Sequence, residues 1–264
     1  SIDANGLITY NGTGSVNGFS DTITVVNTGG QDDVNVTFDV IANPFTVTGY
    51  FAHYRAEDLS LTDGDSIPTL TDISGNGNDL TQNTITEQPL YNENLGSYKA
   101  IQFDGIDDRI FNNSLFIPSS TQCFFAVIKT NSSTLNRVVF NLFGVARRAT
   151  MTINDTVLGN YGASFNDPNP NTLTTSVNVN DDSWHLLVAR NLGTSSEIYF
   201  DGGSAVTLTA ANVALNISQL NLGSLANGGR YYDGAIAEFI GYSQNITNAQ
   251  LQNISNFLIN KYGI

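Results

Sequence analysis

At 264 residues with 41% apolar side chains, the chain can build one large domain around a full core, or such a domain with a small companion. A formal net charge of −14 repels phosphate backbones and argues against nucleic acid as a partner, and no apolar run approaches the ~20 residues that cross a bilayer. The single cysteine, Cys123, excludes an internal disulfide; it sits in the apolar run "TQCFFAVIKT", where a buried, inert thiol is expected.

The first ten residues, "SIDANGLITY", lack the basic and apolar regions of a secretion signal. Lysine occurs only at Lys99, Lys129 and Lys261, and Asn, Ser, Thr and Gly take the place of charge. That mix is common in secreted adhesins, surface repeats and phage fibres.

Strand signals begin with "DTITVVNT" (21–28) and "DVNVTFDVIA" (33–42) and recur in "KAIQFDG" (99–105), "CFFAVIKT" (123–130) and "RVVFNLFGV" (137–145). They continue through "SWHLLVAR" (183–190), "SEIYFDG" (196–202) and "AIAEFIGYS" (235–243). Each run is rich in β-branched and aromatic residues and bounded by turn formers, so a sandwich or barrel is predicted. Several runs are apolar over four or more consecutive residues, as strands inside a layered stack can be. The last stretch differs: Leu251, Ile254 and Leu258 recur at helical spacing, with Thr247 or Asn248 as N-cap and Gly263 as stop. One terminal helix against the sandwich is predicted.

Two resemblances sharpen this reading. In residues 1–45, Gly6 to Ile8 before a turn, "TITVVNTGG" and the closing "VTFDV" resemble part of a bacterial immunoglobulin-like repeat, with "ANPF" (42–45) as linker. From Tyr50 onward, "HYRAEDLSLTDGDSIPTLTDISGNGNDLTQ", "YKAIQFDGIDDRI", "DDSWHLLVARN", "EIYFDGG" and "YYDGAIAEFIGYSQNITNAQ" follow one another as in a laminin-G-like (concanavalin A-like) jelly roll of bacterial surface and phage appendage proteins. His53 and Leu70 stand where that family leads one to expect tryptophan. The fold class implied is all-β: a jelly-roll β-sandwich over residues 46–264 with one C-terminal helix, after a short immunoglobulin-like segment at 1–45. The resemblance further implies binding of glycans or surface proteins at rim loops, sometimes with calcium, in an extracellular, cell-surface or virion setting.

Calcium takes several oxygen ligands. "DISGNGNDL" offers Asp72, Asn76, Asn78 and Asp79, and "FDGIDD" offers Asp104, Asp107 and Asp108. Asp72, Asn76, Asp79, Asp104 and Asp107 are the candidate ligands, because the family brings these segments side by side. Neither segment fits the twelve-residue calcium loop, and the competing reading of the first is turn chemistry, with Gly75 and Gly77 at positive φ and Asp72 and Asn76 capping backbone amides.

Glycan sites pair aromatic faces with amides and carboxylates in loops. "LGNYGASFNDPNPNTL" (158–173), "NGGRYYDG" (227–234) and "QPLYNENLGSY" (88–98) could supply them. Tyr161, Phe165, Asn166, Asp167, Arg230, Tyr231 and Tyr232 are the candidate contacts; alternatively Tyr231 and Tyr232 straddle a strand start, one in the core and one wet. The five glutamates never form the Glu-x-Asp-x-x-Glu spacing of laminarinase-like relatives, and Glu238 reads as a hydrogen-bonded structural group. The two histidines, His53 and His185, are better explained by packing than by acid–base work. A non-catalytic recognition or adhesion module is the leading expectation. A capsid or tail decoration protein that binds neighbouring subunits is the alternative, and a polysaccharide-active enzyme the third.

Overall fold

The computed structural model describes residues 21–25, 34–38, 47, 49–115, 117–144, 148–154, 157–167, 172–209 and 215–264. In the first segment, β1 (Asp21–Val25) pairs antiparallel with β2 (Val34–Phe38) as a separate two-stranded sheet. "NGLITYNG" and the "ANPF" linker lie outside the described residues.

From Tyr50 the chain forms β3 (Tyr50–Arg55), β4 (Thr69–Leu70), β5 (Leu80–Thr81), β6 (Leu90–Leu95), β7 (Tyr98–Asp104), β8 (Ile110–Asn112) and β9 (Ile117–Ser119). Then come β10 (Gln122–Lys129), β11 (Arg137–Gly144), β12 (Arg148–Ile153), β13 (Tyr161–Asp167), β14 (Thr172–Thr174), β15 (Trp184–Asn191) and β16 (Ser195–Phe200). β17 (Val206–Thr209), β18 (Leu215–Leu222), β19 (Asp233–Tyr242) and α1 (Asn248–Tyr262) complete it. Every pairing is antiparallel, in two sheets that form a sandwich. One runs β17-β16-β15-β10-β19-β7-β6, with β3 also on β19; the other runs β14-β13-β12-β11-β18-β8-β5-β4, with β9 also on β18. This is the predicted jelly roll with its terminal helix.

The continuous apolar strands have a specific cause. In β10, Phe124, Ala126 and Ile128 join the core between the sheets, while Cys123, Phe125 and Val127 join a second core under α1. β15 splits likewise, Leu187 and Ala189 inward, Leu186 and Val188 toward the helix. Both faces of the strand are dry, so both phases of its alternation are apolar. The second sheet alternates: Ala149, Met151 and Ile153 of β12 enter the core, and Thr150 and Thr152 point the other way. Burial pushes the Cys123 thiol far above its ordinary pKa, against the lowering charge of Arg190, so the thiol is held neutral.

Helix α1 begins with a capping box. Gln250 N–H donates to Thr247 Oγ1 at 3.2 Å, and Thr247 N–H to Gln250 Oε1 at 2.8 Å. It ends at Gly263 in the left-handed region, φ 61°. Leu251, Ile254, Leu258 and Tyr262 bury its inner face.

Ionic contacts fix its two ends. At the N-terminal end, buried Arg190 donates from Nη1 to the Ile246 carbonyl at 3.1 Å and from Nη2 to Asn248 Oδ1 at 2.7 Å, while Nε donates to Glu197 at 2.9 Å. At the other end, Glu238 on β19 accepts from Lys261 Nζ at 2.7 Å and from the Tyr262 hydroxyl at 2.8 Å. Its other oxygen lies 2.5 Å from His53 Nε2 on β3, and His53 Nδ1 meets the Tyr50 hydroxyl. Burial pushes the Glu238 carboxyl up, but the His53 and Lys261 contacts outweigh it and hold the pKa below the ordinary range. His53 and Glu238 are packing and bridging residues, as the sequence suggested. Replacing Glu238 by Ala leaves His53 and Lys261 facing a buried gap, a loss of about 3–5 kcal/mol. Urea denaturation of Glu238→Ala should show a loss of that size, and a change under about 1 kcal/mol would contradict the role given to this carboxylate.

His185 sits between Asp201 (Nδ1–Oδ2 2.9 Å) and Asp181 (Nε2–Oδ1 2.9 Å). Burial lowers its pKa, but the hydrogen bonds and charges of the two aspartates raise it further, and the net shift is upward. With the folded pKa above the unfolded ~6.5, the stabilisation is complete below that value and is lost as pH rises through the folded pKa. His185→Gln should therefore cost more stability below pH ~6 than above pH ~9. Urea midpoints measured at both pH values check this, and equal losses would rule it out.

Candidate rim site

One end of the sandwich, where β7 and β10 finish and β19 begins, gathers loops 104–109 and 224–233 around the start of β11. Gly105 turns the first loop at φ 74°, and a Cβ there would stand 2.7 Å from Asp233 Cβ, so only glycine fits. Asp104 Oδ1 accepts from the N–H groups of Ile106 (2.8 Å), Asp107 (3.3 Å) and Asp108 (3.4 Å), and Asp104 N–H donates to Asp108 Oδ2 at 2.9 Å. Carboxylate oxygens of Asp104, Asp107 and Asp108 thereby come within 4.8 Å of one another. Asp104 is exposed, Asp107 half-buried and Asp108 buried. Burial first, then the charge of Asp104, pushes the Asp108 carboxyl up to about 7, although its backbone hydrogen bond works the other way.

The second loop is tied in by arginine. Arg137 Nη1 donates to the carbonyls of Gly105 (3.1 Å) and Tyr231 (2.9 Å), and its buried Nε has no partner. Val138 N–H donates to the Arg230 carbonyl at 2.9 Å. Arg230 adopts φ 53°, after Gly228 and Gly229 at 80° and 88°, and its side chain is exposed. The Tyr231 hydroxyl lies over Gly228, 2.9 Å from where a Cβ would be. Arg109, closing the first loop, pairs with Glu87 (Nε–Oε2 2.9 Å) and lies over the Phe111 ring. Arg230, Tyr231, Asp104 and Asp107 thus share one rim.

The remaining candidates do not join them. Tyr161 is fully buried, its hydroxyl donating to the Val188 carbonyl at 2.7 Å. Phe165 stacks on Phe124 in the core, and Tyr232 is buried against Phe103. These three rings are core residues, because β13 points Tyr161, Ala163 and Phe165 inward in one phase; Tyr231 is the wet member of its pair. Asn166 and Asp167 lie at the other end of β13: Tyr161 pairs with Ile153 beside Arg137, whereas Asp167 pairs with Arg148.

The stretch 72–80 is a staple. Asp72 Oδ1 accepts from the N–H groups of His53 (3.0 Å) and Ser74 (2.9 Å), and Oδ2 from the Ser74 hydroxyl (2.7 Å) and Asn78 N–H (3.0 Å). Asp79 Oδ1 accepts from Asp72 N–H at 2.7 Å, and the Asn76 amide donates to the Tyr50 carbonyl at 3.0 Å. Four donors occupy the Asp72 carboxylate and leave it no lone pair for a cation, and Asp79 Oδ1 is engaged by the Asp72 amide; among the described residues the metal-capable group is Asp104, Asp107 and Asp108. Among the described residues the two acidic segments are not brought together into one such group. Arg137, which links the rim loops, gave no signal in sequence beyond opening a strand.

A laminin G-type profile described as the concanavalin A-like lectin/glucanases superfamily matches residues 105–252, more than half the chain and including all of this rim but Asp104. The chain belongs to the concanavalin A-like superfamily. No curated protein matches it in sequence. Among solved structures, this concanavalin A-like chain is similar to the binding domain of botulinum neurotoxin serotype D (TM-score 0.54, 13% identity, 80% of this chain and 51% of that one). It is also similar to the binding domain of paraclostridial mosquitocidal protein 1 (0.53, 14%, 78% and 54%). A third is domain 4 of AbnA, a GH43 extracellular arabinanase from Geobacillus stearothermophilus, in complex with arabinotriose (0.54, 14%, 78% and 98%). The chain spans about half the length of the two toxin domains. At these identities the likeness is one of fold. Among the described residues no helix is long and apolar enough to cross a membrane.

Proposed function

We propose that residues 46–264 form a non-catalytic recognition module that binds carbohydrate at the rim built by loops 104–109 and 224–233, in an extracellular, cell-surface or virion setting. The observation that carries this reading is the placing of an exposed Arg230 and the half-buried Tyr231 on one loop and a carboxylate cluster on the next, the two loops being joined by Arg137. A phenol ring, a planar donor fork and fixed acceptors are the groups that stack on and hydrogen-bond to sugars. The arabinotriose complex of AbnA domain 4 supports the choice of ligand class. Surface glycoproteins carry the same chemistry and are the protein partners this rim would suit.

Calcium fits the Asp104, Asp107 and Asp108 group on the chemistry of its donors: three carboxylates, one pushed up to about 7 by burial first and by Asp104 second, gain by sharing a divalent cation. There it would supply positive charge and open coordination positions toward a sugar's vicinal hydroxyls. On a glycan array with and without calcium, the wild type should retain a defined set of glycans. Arg230→Ala and Tyr231→Ala should lose about tenfold or more in affinity, and Asp107→Asn the calcium-dependent part. Retention of no glycan under either condition would remove the proposal.

We also read residues 1–45 as a separate immunoglobulin-like β segment that tethers the module; the hairpin β1–β2, a sheet of its own, supports this. A decoration role is the second use of such a segment, through strand pairing with a neighbouring subunit. Limited proteolysis should cut between about residues 38 and 47 and release an intact module of unchanged melting temperature. A module that unfolds on losing that segment would refute the division.

A further inference from the structure

A cleft of about 420 Å³, lined by none of the rim residues, lies where α1 crosses the edge of the first sheet. One wall is Tyr199 of β16 with the turn Gly202–Ser204 that leads into β17; the other is Asn248, Leu251 and Gln252 on the first turns of α1. Its size falls within the range of small-molecule pockets.

The floor of the cleft is fixed. The Tyr199 hydroxyl donates to Glu197 Oε2 at 2.6 Å and accepts from Arg190 Nη2 at 3.0 Å, so the ring has little freedom. Arg190 Nη2 also takes Asn248 Oδ1 at 2.7 Å, which sets the orientation of that amide and leaves its Nδ2 as a donor for a ligand. Gln252 Nε2 donates to Asn256 at 3.0 Å, leaving its carbonyl oxygen as an acceptor. Gly202, at φ 70°, brings the turn so close to α1 that a Cβ would stand 2.8 Å from Ile259 Cδ1. Arg190 and Glu197 neutralise each other beneath the cleft, and the walls add no further charge.

We propose that this cleft is a second carbohydrate site, for one or two residues of a neutral saccharide, which makes the module bivalent. A rigid phenol ring gives a stacking surface, a preset amide donor and amide acceptor give directional contacts, and the paired floor gives no net charge to attract an anion. The site uses none of the rim residues, so its own occupancy is independent of the rim reading, on which only the bivalence rests.

The test is an amide-resolved NMR titration of the whole chain with three trisaccharides: arabinotriose, cellotriose and trigalacturonic acid. At least one of the two neutral sugars should shift the amides of Gly202, Gly203, Ser204 and Gln252. That response should persist in Arg230→Ala/Tyr231→Ala and weaken about tenfold or more in Gln252→Trp or Ser204→Trp, which fill the cleft from exposed positions. If neither neutral sugar moves these amides, or only the acidic one does, the proposal is overturned. Loss of the cleft response in the rim double variant would overturn it as well, since one site would then explain both.

Discussion

A carboxylate with only 1% of its side chain exposed persists as an anion only where its oxygens are answered. Glu238 has that provision: the imidazole of His53 on one oxygen, the Lys261 ammonium and the Tyr262 hydroxyl on the other. These partners come from β3 and from the last turn of α1, so the charge can be buried only if the helix is docked. Arg190 imposes the same condition at the other end through the Ile246 carbonyl and Asn248. The apolar residues between them, Leu251, Ile254 and Leu258, favour burial without fixing where along the sheet the helix lies. The ionic contacts set that register.

Docking the helix makes the two sheets unlike. The first is apolar without a break over residues 123–128 of β10 and 186–189 of β15, because one phase faces the sandwich core and the other faces α1. The second, which no helix covers among the described residues, places Thr150 and Thr152 on its outer face beside Asn141 and Asn221. Those groups are spent on one another and on the backbone: Asn141 donates to Thr150 Oγ1 at 3.0 Å, and Ala226 N–H donates to Asn141 Oδ1 at 3.0 Å. That leaves the edges, where loops stand on tightly paired strands, as the place for the recognition role proposed above.

What could be read from the sequence follows this division. The helix was legible residue by residue, since capping and 3.6-residue spacing are local. The strands were legible because continuous apolar runs need two dry faces. The phase of an individual ring was not: Tyr161 and Phe165 sit in an amide-rich stretch that looks like a loop, and only pairing with β12 turns them inward. Asp72 was legible as a turn former, but its binding of the His53 amide, nineteen residues back, was not. Arg137 is the clearest case, because its partners at Gly105 and Tyr231 are 32 and 94 positions away and leave no local trace.

The charge balance bears on what the rim can take. Of the few cations, Lys261, Arg190, Arg109 and Lys129 are each held by carboxylates, and Arg137 by carbonyls. Arg230 is the exposed cation left at the rim, and it makes no ion pair among the described residues. A protein of net charge −14 repels an approaching anion until the ions of the medium screen it, at about 8–10 Å. A neutral, hydroxylated ligand meets no such barrier and needs only stacking and hydrogen bonds, which Tyr231 and the fixed carboxylates can give. If the rim takes glycans as proposed, the same scarcity of free positive charge favours neutral ones, and acidic ones would have to draw on Arg230 and on a cation held by the three aspartates.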